Sequence, residues 1–272
     1  MTNLVFKEPT HTYESEEPIN WISVTKIISL LKQPFDPKQA EKSSKNKKSK
    51  WYGKSPEEIK SIWKTEEERS ISLGNFYHKQ RETEILNCET IEQHGITMGI
   101  VAPIYNDDGY KLSPTQILED NTLYPEHMVY LRSVGACGQV DRVEVANKTI
   151  NITDYKTNKE IQTKSYVNWE GISKKLKPPV SHLDDCNLIH YTLQLSMYLF
   201  MMLKHNPEMK PGVLTLHHVI FEEEESKDQY GYPIHKLDSE GNPIVKTVIP
   251  YIVPYMKDEV IKILNWVKEN KK

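Results

Sequence analysis

Cysteine is scarce: Cys88, Cys137 and Cys186 are the only three in a chain of 272 residues. They are too few and too scattered for a disulfide framework or a cysteine-based zinc site. Nor can they supply the four thiolates that hold an iron–sulfur cluster. The expected setting is a reducing cytoplasm. Long apolar runs are missing as well. The longest, near 195–203, is far shorter than the ~20 residues of a membrane helix, so no membrane partner is expected. The opening Met1-Thr2-Asn3-Leu4-Val5-Phe6-Lys7-Glu8 has no sustained apolar core, which excludes a secretory signal there. Charge of one sign is also lacking, since 35 Lys and Arg face 38 Asp and Glu for a formal net charge of −3. An enzyme acting on DNA needs only a local basic track, so this balance does not exclude one.

What is present suits a soluble α+β protein with long surface loops: 16 prolines, 15 tyrosines and 27% charged residues. The length is enough for one elaborated domain, and neither an internal repeat nor a composition shift divides it. Residues 4–14 read as an opening hairpin. Ser23-Val24-Thr25 leads into a helix through Leu31, which Pro34 and Pro37 end. Ser55-Pro56-Glu57-Glu58 is a helix start, with a capping serine, proline at the first position and acids in the first turn. That helix is expected to run towards Arg69, with a second one after Leu73-Gly74. Residues 88–123 read as loop-rich, with a turn at Asn106-Asp107-Asp108-Gly109. The central strands fall between 126 and 156. A polar, irregular stretch over 158–186 precedes a long helix at about 187–204. Strands at 214–221 and 244–253 and a last helix at 257–269 complete the pattern.

Between Lys42 and Lys54 lie six lysines and no acid, together with Trp51 and Tyr52. One reading is a solvated, mobile loop. The other is a phosphate-tracking segment in which Lys45, Lys47, Lys48 and Lys50 meet the backbone while Trp51 and Tyr52 stack on bases. Lys174 and Lys175, before Pro178-Pro179, offer a second basic patch. Glu222–Glu225 reads as a solvated charge run. The consecutive His217 and His218 alternate to opposite faces of a strand and do not share a metal.

The most informative residues are acids. Gly138-Gln139-Val140-Asp141 lies on one strand, an Asn147-Lys148 turn follows, and Asp154-Tyr155-Lys156-Thr157 ends the return strand. Residues two apart in a strand share a face, so Asp154 and Lys156 point the same way. The hairpin brings Asp141 beside them. Paired carboxylates hold a hard divalent cation through oxygen, and a neighbouring lysine orients water or offsets charge on a phosphate. On either side along the chain stand Gly74-x-x-x-His78 with Glu82 one turn on, Glu126 on the approach to the sheet, and Gln194-x-x-x-Tyr198 at i, i+4 on the long helix.

In this order the motifs resemble the PD-(D/E)XK nuclease superfamily, in particular its RecB-like exonuclease branch. The likeness spans about residues 10–265, and Ser23-Val24-Thr25 also matches the helix start of the phage and mitochondrial members. Val140 stands where the founding motif has proline, and the second acid is aspartate; both departures occur widely in this branch. The resemblance implies a restriction-endonuclease-like α/β/α core, a central mixed sheet flanked by helices. It would lie within a single domain over 1–272, with an N-terminal hairpin and helical elaboration over 1–73, the core over 74–221 and a C-terminal hairpin and helix over 222–272.

It further implies that His78, Asp141 and Asp154 ligate one or two Mg²⁺ or Mn²⁺ ions, joined by the carbonyl of Tyr155 and, in a looser alignment, by Glu126. Lys156 becomes the catalytic lysine, while Gln194 and Tyr198 shape the site and contact DNA. The missing cysteine quartet separates the chain from the iron–sulfur members. The implied activity is a DNA exonuclease on single strands or ends, with recombination or replication proteins as possible partners. The alternatives are a structure-specific endonuclease of the same fold and a non-catalytic DNA-binding accessory module.

Overall fold

A computed structural model describes residues 4–10, 12–93, 95–113, 116–168 and 170–270. Strands β1 (Val5–Lys7) and β2 (Thr12–Glu14) pair antiparallel as the expected opening hairpin. Strand β3 (Ile22–Ser23) runs directly into helix α1 (Val24–Leu31). Ser23 Oγ accepts from the Lys26 amide at 3.1 Å, satisfying one of the donors that a helix start leaves free. Val24, Ile27, Ile28 and Leu31 then fall on one buried face.

The lysine-rich segment is ordered. Helix α2 (Gln39–Lys45) and the turns after it pack against helix α3 (Pro56–Leu86), where Ala40, Trp51, Ile59 and Ile62 form a small core closed by Trp63, Tyr230 and Tyr232. Trp51 is only 7% exposed, and the Lys50 ammonium lies 4.3 Å from the ring centroids of both Trp51 and Tyr232. The expectation that Trp51 stacks on bases is therefore corrected: burial of its indole stabilises this corner of the fold and leaves no face for a ligand. Tyr52 stays exposed.

Helix α3 is also a correction, since one helix of 31 residues replaces the two expected around Leu73-Gly74. Ser55 Oγ caps it by accepting from the Glu58 amide at 3.1 Å, with Pro56 in the first turn. A glycine inside a helix costs only about 1 kcal/mol relative to alanine, which packing readily offsets. Here Gly74 passes close to the end of the central hairpin; a Cβ on it would lie 3.4 Å from Thr157 Oγ1.

The region read as loop holds four short strands: β4 (Thr90–Gln93), β5 (Ile96–Ile100), β6 (Ile104–Tyr105) and β7 (Lys111–Leu112). Then come β8 (Thr122–Leu131), β9 (Ala136–Ala146), β10 (Thr149–Lys156), helix α4 (Asn187–His205), β11 (Lys210–Phe221), β12 (Glu223–Lys227), β13 (Pro233–His235), β14 (Val245–Val253) and helix α5 (Lys257–Asn270). Asn147 and Lys148 both adopt positive φ, 53° and 57°, which matches the twist of the strands they join.

The main sheet is mixed and eight-stranded, ordered β14-β11-β10-β9-β8-β5-β4, with β3 laid beside one end of β9. The β10–β11, β5–β8 and β3–β9 pairs are parallel and the others antiparallel. Ile150, Ile152, Leu214 and Leu216 bury against α1, α4 and α5 in the principal core. The opposite face of β10 and β11 presents Tyr155, Val219 and Phe221, and α3 covers it with Tyr77. Helices thus lie on both faces of an α+β architecture. A second sheet, ordered β2-β1-β7-β6, joins the N-terminal hairpin to the 104–112 segment. The parts read as 1–73, 74–221 and 222–272 interleave: α1 packs on the main sheet, and Tyr230 and Tyr232 complete the core around Trp51. Among the described residues no helix is long and apolar enough to cross a membrane.

Candidate functional site

The ladder between β9 and β10 runs from Ala146–Thr149 to Arg142–Thr153 and stops there. Asp141 and Asp154 come next. The Tyr155 amide donates to Asp141 Oδ2 at 2.7 Å, so a carboxylate takes the place of a strand partner. Farther along β9, strand β3 takes over at Cys137 and Ala136. Residues 138–141 thus lie in a gap between two different neighbouring strands, where side chains from several elements can meet.

Glu126 stands across from Asp141, bracketed by the pairs Pro125–Arg142 and His127–Val140. Its φ of 50° is left-handed, in the middle of a strand. That conformation costs a non-glycine residue about 1–3 kcal/mol and persists only where surrounding contacts impose it. Gln139 Nε2 and the Lys111 ammonium, the latter at 3.8 Å, both approach its carboxylate.

His78 arrives from α3. Its Nδ1 is 3.4 Å from Asp141 Oδ1 and 3.9 Å from Glu126 Oε1, and its Nε2 is 3.2 Å from the Tyr155 carbonyl oxygen. One ligand atom from each of His78, Glu126 and Asp141 lies within 4.8 Å of the others. Asp154, almost wholly buried, sits beside this trio. Its Oδ2 is 2.5 Å from the Lys156 ammonium, and its Oδ1 accepts from Gln194 Nε2 at 3.4 Å. Gln194 also donates to Tyr198 Oη at 3.2 Å, the contact that its i, i+4 spacing on α4 allows. Glu126 is therefore the third member of the cluster with His78 and Asp141, and Asp154 is the partner of the lysine.

These groups titrate abnormally because they are crowded and dry. Burial and the Asp141 charge raise Glu126 to about 8, against the pull of Lys111 and His78. Burial raises Asp154 to about 6, although Lys156 opposes it. Burial also works against ionised Asp141, but His78, Lys156 and the Tyr155 amide outweigh it and hold the carboxyl below its ordinary value. Burial disfavours the His78 imidazolium, yet the surrounding carboxylates raise it to about 9. Lys156 is likewise kept charged by Asp154 and Asp141 against burial.

The structure brings His78, Glu126, Asp141, Asp154, Lys156, Gln194 and Tyr198 together in one cleft of about 710 Å³. The basic candidates are elsewhere. Lys45, Lys47, Lys48 and Lys50 are exposed and do not line the cleft. Lys174 and Lys175 are engaged with Asp185 and Asp184 at 3.0 and 2.7 Å. His217 packs by the Tyr155 ring while His218 meets the Asn158 carbonyl at 2.6 Å, so the two do part as alternation requires.

Sequence reasoning missed the other wall: Phe6, Tyr13, Tyr105 and Lys111 of the small sheet, with Tyr110 from its turn, also line the cleft. Strands of two residues carry no periodic signal. The only trace was a tyrosine on each side of the Asn106–Gly109 turn.

Gly138 has a steric role. A Cβ at this position would fall 2.5 Å from Cε1 of the buried Tyr198 ring. Gly138→Ala is expected to displace that ring and lower stability by about 1–3 kcal/mol in urea unfolding. In a double-mutant cycle with Tyr198→Leu the alanine costs less. An equal cost in both backgrounds would show that the ring is not the obstacle.

No family model, curated protein or solved structure matches this chain.

Proposed function

We propose that this chain is a metal-dependent DNA exonuclease of the RecB-like PD-(D/E)XK branch, with a restriction-endonuclease-like core. It hydrolyses phosphodiester bonds in single-stranded DNA or at DNA ends. The observation that carries the reading is convergence: side chains from α3, β8, β9, β10 and α4 line a single cleft around a left-handed glutamate.

The donor set fits a hard divalent ion. An imidazole nitrogen and two carboxylate oxygens lie within 4.8 Å of one another, and a third carboxylate adjoins them. Burial first and the Asp141 charge second raise Glu126, so its ionised form is disfavoured until a cation joins it. His78, Glu126 and Asp141, with Asp154 alongside, would hold one or two Mg²⁺ or Mn²⁺ ions, and the histidine favours Mn²⁺. A cation there supplies Lewis-acid neutralisation of the phosphoryl oxygens and lowers the pKa of water.

The protein's own groups do the positioning. Lys156, held charged at 2.5 Å from Asp154, presents N–H donors to a phosphoryl oxygen or to the attacking water. Gln194 fixes the Asp154 carboxylate from behind, and Tyr198 anchors Gln194. Asp141 holds the Tyr155 amide and thereby the direction of the strand end that carries Asp154 and Lys156.

Digestion of end-labelled single-stranded, duplex and closed circular DNA with Mg²⁺, Mn²⁺ or chelator tests the reading. Metal-dependent release of short products from an end, with the closed circle spared, is the expected result. Cutting of the circle would indicate an endonuclease of the same fold. Binding without cleavage under either metal would leave an accessory module and overturn the proposal.

A further inference from the structure

The acidic floor of the cleft faces an aromatic wall with no assigned role. We propose that this wall, presented by the small sheet, holds the nucleobases of a single DNA strand, with Tyr105 and Tyr110 as the stacking rings. The inference rests on the nuclease reading and specifies how its substrate lies: backbone towards the metal-holding floor, bases towards the wall.

The wall is built to present these rings. Tyr105 and Lys111 are directly opposite across the β6–β7 pair, so they share a face. The turn between the strands is tied by the Gly109 amide to the Asn106 carbonyl at 2.9 Å and by the Tyr110 amide to Asn106 Oδ1 at 2.8 Å. Gly109 supplies the positive φ that this turn needs. Tyr105 remains 49% exposed although it lines a cleft. An ammonium lies near each ring, Lys111 at 6.0 Å from the Tyr105 centroid and Lys7 at 5.8 Å from that of Tyr110. Pairing of aromatic faces with cations is what a polynucleotide meets on non-specific single-strand proteins.

Two acids of the same cleft lining, Glu8 and Asp108, offset Lys7 and Lys111, so this side carries no net attraction for phosphate. A cation held by the floor, with Lys156 beside it, would draw the phosphates there and leave the uncharged bases to the rings. The cleft volume of about 710 Å³ lies within the ~300–1,000 Å³ of sites that enclose small ligands. That volume has room for a short stretch of one strand.

The test is fluorescence anisotropy with a labelled oligothymidylate, using full-length Asp154→Asn protein in Mg²⁺ so that the probe stays intact. Tyr105→Ala and Tyr110→Ala are each expected to weaken binding by roughly 10-fold or more, the range of one lost base stack. Tyr105→Phe retains affinity. An abasic oligonucleotide of equal length binds the Asp154→Asn parent at least as weakly as normal DNA binds either alanine variant, and Tyr105→Ala weakens the abasic probe no further. Thermal unfolding checks each variant, and Tyr105→Leu or Tyr110→Leu, which keeps apolar bulk without a ring, replaces the alanine variant at that position if it fails to fold. Unchanged affinity in the ring variants, or an equal loss on abasic DNA, overturns the proposal. Because this readout is binding, it fails separately from the nuclease reading, which fails on cleavage by the unsubstituted protein.

Discussion

Asp154→Asn and Asp141→Asn are each expected to reduce metal-dependent cleavage by at least about 10³-fold, the scale of several kcal/mol of lost charge stabilisation. Their effects on folding should differ in sign. Asp154 is raised to about 6 because burial disfavours its charge more than Lys156 compensates. At pH 8 that ionised group destabilises the fold, and asparagine keeps the shape without the charge. Lys156 is not left bare, since the Asp141 charge and the Tyr191 ring, 4.9 Å away, still face it. Asp141 is held below its ordinary value despite burial, by His78, Lys156 and the Tyr155 amide. Its ionised form therefore stabilises the protein above the unfolded carboxylate pKa, and that contribution is lost as pH falls. Asp141→Asn should cost about 1–3 kcal/mol, the scale of a buried group whose partner is removed. Urea unfolding at pH 8, run beside the cleavage assay, separates the two. Cleavage within tenfold of the parent by Asp154→Asn would falsify its assignment. Equal destabilisation by both variants would mean that the two acids play one structural role.

The central hairpin was legible because its signals are local and mutually consistent. Alternation fixed the faces, Asn147-Lys148 marked the turn, and the strands that formed are β9 and β10. The helix caps at Ser23 and Ser55 were legible for the same reason, since a cap is chemistry within four residues. Gly74 misled because a glycine's helix penalty is small and α3 offsets it by packing closely on Thr157.

Within the site, His78, Asp141, Asp154, Lys156, Gln194 and Tyr198 could be nominated from motif order, and Glu126 in a looser alignment. Their division of labour could not. Glu126 joins His78 and Asp141 because its backbone is left-handed at a point where Asp141 has turned to the Tyr155 amide. No spacing rule encodes that. Trp51 shows the opposite error: an aromatic among lysines looks like a stacking platform, yet Ile59, Ile62, Trp63 and Tyr232 enclose it. The aromatic wall escaped notice because β1, β6 and β7 are short and their sheet joins residues about a hundred apart in sequence.

The metal-free protein should lose stability as pH rises from about 6 to 9, and a divalent cation should reverse the trend. Glu126 is raised to about 8 and Asp154 to about 6, each chiefly by burial, while carboxylates raise His78 to about 9 against burial. A raised folded pKa means that the folded state binds protons more tightly than the unfolded one. The stability this confers is complete below the unfolded pKa and disappears as pH passes the folded value. Glu126 and His78 act in the same direction across this window, and Asp154 only at its lower edge, so the apparent Tm should fall by several degrees, at about 2–4 °C per kcal/mol for a chain of this size. Glu126→Gln should flatten the part of the slope between pH 7 and 8.5. A bound cation must displace the protons on Glu126 and His78, so metal binding at pH 7 should release roughly one to two protons. Apparent affinity would then rise about tenfold per pH unit for each proton released. Titration calorimetry in two buffers of different ionisation enthalpy measures that number directly. A binding enthalpy independent of buffer, together with a pH-independent Tm in chelator, would mean that the cluster of His78, Glu126 and Asp141 does not exchange its protons for a metal.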